Sequence, residues 1–227
     1  MRICQEDPII TFIRDMFDAN PLRIPDKRIS PLSLIAGVGK KVRYLGSVKN
    51  YFPDLSIIKQ TMPDLEVNKT NEAKGAIGID LLSGIIAALS NFSIQGTELA
   101  TKIEENNSFA IRFFFPNLER HYVIPIHIAQ QIARKQPKLS ELKVIDRSSN
   151  PNFYIVDSIF ACNQIGVEIT QGAGLSANFT ATLADVGLKS EITGSKGNHV
   201  VIQGKTRLAF AFSAIRVTVD ESKLIGI

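Results

Sequence analysis

Tryptophan is absent from this 227-residue chain, and histidine and cysteine are scarce, with three and two residues. Those gaps remove whole classes of chemistry. His121 and His127 lie six apart, off the spacing of a helical metal pair, and no cysteine or carboxylate cluster joins them. There is no Walker-type loop and no G-x-S-x-G elbow, and Gly75, Gly78 and Gly84 miss the dinucleotide spacing. Cys4 and Cys162 are too distant in sequence to announce a disulfide framework, so a reducing cytoplasm is the expected home. Long apolar runs are missing as well. Residues 1–8 lack the apolar core of a secretory signal, and only three residues precede Cys4, so export through a secretory or lipoprotein signal is not expected. The most apolar stretch, 76–89, is interrupted by Asp80 and falls short of the roughly 20 apolar residues of a spanning helix. Entry into a membrane would need another architecture.

What remains is an ordinary globular composition. Hydrophobic residues make up 44% and charged residues 21%, which argues against disorder. The length is enough to bury a sizeable core, and no linker, repeat or low-complexity segment divides it, so a single domain over 1–227 is expected. The net charge of +4 is dispersed over Lys40, Lys41, Arg43, Lys135, Lys138, Lys189, Lys196 and Lys205. It would draw anionic headgroups or nucleic acid weakly. Because the basic residues are not interleaved with aromatics, a nucleic-acid partner is not expected.

Helical signals lie toward the N-terminal half. Asp7 is a good N-cap, Pro8 suits the first turn, and Ile9, Phe12, Ile13, Met16 and Phe17 recur at helical spacing until Asn20-Pro21. Ser30, Pro31, Leu32, Leu34 and Ile35 before Gly37 and Gly39 predict a second short helix. Residues 40–75, punctuated by Pro53 and Pro63, read as short strands joined by loops. Residues 76–92 read as a buried helix or helix pair. Pro125 opens another helix through Ile128, Ala129, Ile132 and Ala133 that stops before Pro137.

Strand signals dominate the rest. Phe109, Ile111, Phe113 and Phe115 share one face. Ile165, Val167 and Ile169 alternate with Gly166, Glu168 and Thr170. Leu175, Ala177, Phe179, Ala181 and Leu183 then alternate with polar or small residues over ten positions. After a predicted turn over Gly194–Asn198, Leu208, Phe210 and Phe212 alternate again, and Ile215, Val217 and Val219 follow after a one-residue phase shift. Strict alternation predicts a sheet with one wet and one dry face. The fold class is therefore α+β, with long antiparallel hairpins.

Strands of about ten alternating residues also match the length that crosses a bilayer when tilted, with lipid on one face and water on the other. Alternation of this kind equally describes a half-buried sheet in a soluble protein. An isolated hairpin cannot enter lipid, because its edges would leave backbone groups unpaired. A pore therefore implies closure into a barrel by many copies, each contributing strands. Cys162 lies in a strand-like run from Phe153 to Ile169 and reads as a buried apolar side chain, so the chain is not expected to be an enzyme.

The chain resembles the bacterial gasdermins over nearly its whole length. The resemblance is carried by the order of several stretches. At the start these are Cys4 with Asp7-Pro8 and its helix, Arg23-Ile24-Pro25, Ile29-Ser30-Pro31-Leu32, Gly39-Lys40 and Leu45-Gly46. Further on they are Gly84-Ile85-Ile86-Ala87-Ala88-Leu89, Phe109 to Phe115, Tyr122-Val123-Ile124-Pro125, and Leu208 to Arg216. The resemblance implies a twisted central antiparallel sheet with surrounding helices, as in a gasdermin N-terminal domain. It implies a cell-death effector of anti-phage defence that is cytoplasmic while inactive. A protease would remove a short inhibitory C-terminal peptide. The released chains would form a homo-oligomer and insert β-hairpins among the phospholipids of the inner membrane. It further implies palmitoylation of Cys4, where each buried CH₂ contributes about 0.8 kcal/mol to anchoring, and no other cofactor or metal. The candidate inserting hairpins span about 79–115 and 165–217. Their candidate membrane-facing residues are Phe109, Ile111, Phe113, Leu175, Ala177, Phe179, Ala181, Leu183, Leu208, Phe210 and Phe212. Asp220 to Ile227 is short for an inhibitory tail, so the tail is expected either to begin within the final strand region or to be missing from this chain.

Two other readings share these residues. One is a lipid- or ligand-binding α+β module whose hairpins never leave the soluble fold. The other is a hydrolase using Cys4 or Cys162.

Overall fold

The computed structural model describes residues 14–15, 17–38, 41–63, 65–68, 111–139, 151–169, 192–196, 199–220 and 223–227. Eleven strands are hydrogen-bonded among these residues. They are β1 (Asn20–Asp26), β2 (Ser33–Val38), β3 (Lys41–Ser47), β4 (Ile58–Thr61), β5 (Leu65–Asn68), β6 (Ile111–Phe115), β7 (Glu119–Tyr122), β8 (Asn152–Ile169), β9 (Ile192–Lys196), β10 (His199–Asp220) and β11 (Lys223–Gly226). The central path runs β1-β10-β8-β2-β3; β6 and β7 also pair with β8, and β9 and β11 with β10. The helix α1 (Pro125–Lys135) is described in full beside them. Packing separates two compact units. A helix unit comprises 28–60, 120–160 and 212–227, and a strand unit comprises 1–27, 61–119 and 161–211. The long strands β8 and β10 contribute one part to each.

The helix unit holds a continuous apolar core. α1 forms where the sequence predicts it. Pro125 occupies the first turn, Ile128 and Ile132 fall one turn apart on the buried face, and Gln136 ends the helix in the left-handed region at φ 40°. Its N–H donates to Ile132 O at 2.8 Å, while Arg134 and Lys135 lie in the last turn, where the helix dipole favours cations. Ile128 and Ile132 pack with Leu32, Leu34, Phe52, Phe153, Ile155, Val217 and Leu224. Burying an aliphatic side chain of this size stabilises by about 1.5–3 kcal/mol.

The predicted helix after Ser30 is instead the strand β2. Leu34 pairs with Ile155 and Ala36 with Phe153 on one side, and Ile35 pairs with Tyr44 on the other. Leu34, Ile35 and Ala36 are all buried, so both faces of the strand are covered. A strand buried on both faces has no period of two, and its apolar run cannot be told from a helix by spacing. Tertiary pairing decided the outcome.

The last residues also form structure. β11 pairs antiparallel with the end of β10, Asp220 facing Lys223, and Leu224 N donates to Pro137 O at 3.0 Å. Leu224 is fully buried, so Lys223 to Ile227 are part of this unit's packing rather than a free tail.

In the strand unit, β5 pairs with β6 (Leu65 with Phe115), β6 pairs with β8 (Ile111 with Ile169, Phe114 with Gly166), and β9 pairs with β10. Gly194 and Ser195, predicted as turn, are strand residues facing Val201 and Val200, and the ladder continues to the Lys196–His199 pair. The reversal is therefore shorter than predicted, because a glycine tolerated in a strand was read as a breaker. Of the first predicted helix, Arg14, Asp15 and Phe17 are described and helical. Asp18 closes it at φ 48°, donating its N–H to Arg14 O.

Candidate membrane-inserting strands

The described part of the candidate hairpins is β6, the end of β8, β9 and most of β10. Ile111 and Phe113 sit on β6 opposite Ile169 and Val167 of β8. Leu208, Phe210 and Phe212 sit on β10 and are buried, at 5%, 2% and 8% exposure. Phe109, Leu175, Ala177, Phe179, Ala181 and Leu183 lie outside the described residues, as do Cys4 and the predicted helices at 7–13 and 76–92.

The predicted wet and dry faces are not what Leu208–Phe212 shows. Ala209 and Ala211 are as buried as their bulky neighbours, so the strand alternates large with small rather than apolar with wet. On β6, Phe115 stacks on Phe210 with centroids 4.8 Å apart and planes 8° from parallel. Such a pair contributes about 0.5–1.5 kcal/mol beyond its area burial. Next to it, the ring of Phe114 covers Gly166, its register partner, and occupies the space a Cβ there would need.

A chain of polar side chains joins the same strands. The Arg207 guanidinium donates from Nη1 to Asn117 O at 2.6 Å and pairs with Glu119 Oε1 through Nη2 at 3.0 Å. Asn117 Nδ2 donates to Gln164 Oε1 at 3.1 Å, and Gln164 Nε2 donates to Gln203 Oε1 at 3.0 Å. Asn117 holds φ 56°, a left-handed conformation that asparagine tolerates, and this turns the chain from β6 toward β7. These five residues tie the β6–β7 turn and β7 to β8 and β10. Sequence reasoning missed them, because contacts spanning 39 to 90 residues leave no local signal.

Chemistry is limited here. Cys162 is buried, and desolvation pushes its thiol up to about 12, against weaker lowering by the Gln164 backbone and Arg207. A thiol held protonated is a poor nucleophile, which removes Cys162 from the hydrolase reading. Among the described residues no group of three His, Cys, Asp or Glu could hold a metal ion. No described helix is long and apolar enough to cross a membrane.

Comparison with known proteins places the chain. The family model described as "Bacterial Gasdermin Family" matches residues 22–223. A protein named "Gasdermin bGSDM", from a Desulfuromonadales bacterium, is 20% identical over 235 aligned positions, covering 98% of this chain and 85% of that protein. The fold matches a bacterial gasdermin from Bradyrhizobium tropiciagri with a TM-score of 0.69 and 12% identity, over 99% of this chain and 92% of that one. The gasdermin A3 membrane pore aligns over 94% of this chain and 89% of that one, at 10% identity and a TM-score of only 0.32, too weak to match residue with residue. With an α+β fold built on an antiparallel sheet and a family match spanning residues 22–223, the chain belongs to the bacterial gasdermin family.

Proposed function

We propose that this chain is a pore-forming cell-death effector of anti-phage defence. Proteolytic removal of a short C-terminal inhibitory peptide releases it. Copies then assemble into a ring and insert β-hairpins into the inner membrane. The observation that carries this reading, beyond family membership, is strand length. β8 has 18 residues and β10 has 22, against the roughly 9–11 that a tilted strand needs to cross the hydrocarbon core. Two such strands supply enough backbone to span a bilayer without a transmembrane helix. Only a closed ring of copies satisfies their edges, so the active species is a homo-oligomer. Palmitate on Cys4 anchors the inserted state, with phospholipids as the surrounding partner. No catalytic step is required of the chain.

Dye release from anionic liposomes tests the reading. The 227-residue chain is compared before and after limited proteolysis, with Cys4→Ala and Cys162→Ser variants expressed in cells. Leakage that grows cooperatively with protein concentration is expected. Cys4→Ala weakens toxicity, and Cys162→Ser leaves it nearly unchanged. No leakage in any form, from a folded protein, sinks the pore reading in favour of a lipid- or ligand-binding module.

A further inference from the structure

Five polar side chains brace three strands of the strand unit against one another. β8 lies between β10 on one side and β6 and β7 on the other. Arg207 of β10 reaches past β8 to Asn117 O and to Glu119, and Gln203 of β10 is joined through Gln164 of β8 to Asn117. The Arg207–Glu119 pair is half-buried, its side chains 34% and 25% exposed. Beside this brace, Phe115 stacks on Phe210. All these residues belong to the strand unit.

The brace also marks where one candidate hairpin ends. β6 stops at Phe115, since Asn117 turns the chain at φ 56° and the fully buried Leu118 accepts the Met62 N–H at 2.9 Å. Adjacent strands of one barrel share a hydrogen-bond ladder, so they enter the hydrocarbon at a common level. The end of β6 therefore fixes where its neighbours leave the bilayer. The side chains that touch the β6–β7 turn mark that level as Gln164 on β8 and Gln203 to Arg207 on β10. An Arg–Glu pair and three carboxamides suit the headgroup region and are costly in hydrocarbon. Past them, β10 runs into Leu208–Phe212, where large and small side chains alike are buried.

We infer that the five braced residues are the root of the inserted hairpins, carried over from the soluble fold and held at the membrane surface. The second hairpin then spans about 165–202 rather than 165–217, and Leu208, Phe210 and Phe212 stay in the folded core. The inference rests on the proposed pore reading and deepens it by fixing where the strands stop. Residues 165–202 leave each arm about 19 residues, against the roughly 9–11 that a tilted strand needs.

The chain has no tryptophan, so single tryptophans placed in the full chain report their own surroundings. Their fluorescence is read on phosphatidylglycerol/phosphatidylcholine vesicles before and after limited proteolysis. Lipids brominated on the acyl chains quench a lipid-facing ring, and iodide quenches a water-facing one. Phe113 and Phe114 lie about 10–13 Å along the strand from Asn117, and their side chains point to opposite faces. One of Phe113→Trp and Phe114→Trp is therefore expected to lose most of its fluorescence to brominated chains as leakage begins. Phe210→Trp and Phe212→Trp stay shielded from both quenchers throughout. Should Phe210→Trp crowd its stack and misfold, Phe212→Trp, at the rim of the buried stretch with 8% exposure, carries the measurement alone. Quenching of either by either agent during leakage would overturn the inference and leave the pore standing. So would leakage with neither Phe113→Trp nor Phe114→Trp quenched by brominated chains, because β6 would then lie outside the bilayer. No leakage and no quenching in any folded variant sinks the pore reading, and this inference with it.

Discussion

Replacing Gly166 by alanine tests whether the β6–β8 contact is as tight as its geometry implies. A methyl at Gly166 would fall within the ring of Phe114, its register partner on β6. Gly166 does not have a positive φ, so the backbone itself accepts an L side chain and the conflict is purely one of space. The ring must swing aside, and overpacking of this kind costs about 1–3 kcal/mol. With Phe114→Ala in place the obstacle is gone. Gly166→Ala should then stabilise by roughly 0.5–1 kcal/mol, because a glycine loses more backbone freedom on entering a strand. The effect of one methyl therefore changes sign with the presence of one ring. Thermal unfolding followed by circular dichroism reads the cycle. In a chain of this size 1 kcal/mol shifts Tm by about 2–4 °C, so Gly166→Ala alone lowers it by roughly 2–12 °C, and in the Phe114→Ala background raises it slightly. Additive effects of the two substitutions would refute the contact, since residues that do not touch do not couple.

Other outcomes follow from burial. Cys162 in the folded protein should resist a thiol reagent at pH 8 and react on unfolding; stoichiometric labelling within minutes under native conditions would contradict its buried, protonated state. Because its folded pKa of about 12 lies above the ordinary thiol value of 9.0, the unfolded thiol ionises first. Its contribution is intact below pH 9, and stability falls by up to about 1.4 kcal/mol per pH unit as pH rises from 9 toward 12, a slope that Cys162→Ala should remove in denaturant titrations. Leu224→Ala should cost about 2–5 kcal/mol in the same titration, since the side chain is fully buried beside Ile128 and Ile132; a change under 1 kcal/mol would mean that β11 is not an integral part of that core.

What the sequence determined by itself is local. Pro125, the Ile128–Ile132 spacing and Pro137 define α1, because a helix closes its hydrogen bonds within its own residues and needs only a cap, a periodic face and a stop. The strand-like run Phe153–Ile169 and the alternation over Leu208–Val219 likewise place β8 and the later part of β10, and the ordered set of motifs was enough for the family. The tertiary structure decided everything that depends on what lies across a strand. Ser33–Val38 became β2 because β3 and β8 pair along its two edges, while Leu34, Ile35 and Ala36 are buried on both faces. Ala209 and Ala211 became core residues because both faces of this stretch of β10 are buried. The chain from Gln203 through Gln164 and Asn117 to Arg207 and Glu119, and the backbone bridge between Lys138 and Lys223, join residues 39 to 90 positions apart. No local pattern encodes such encounters, since strand pairing is a property of two distant segments and neither one carries its partner's address.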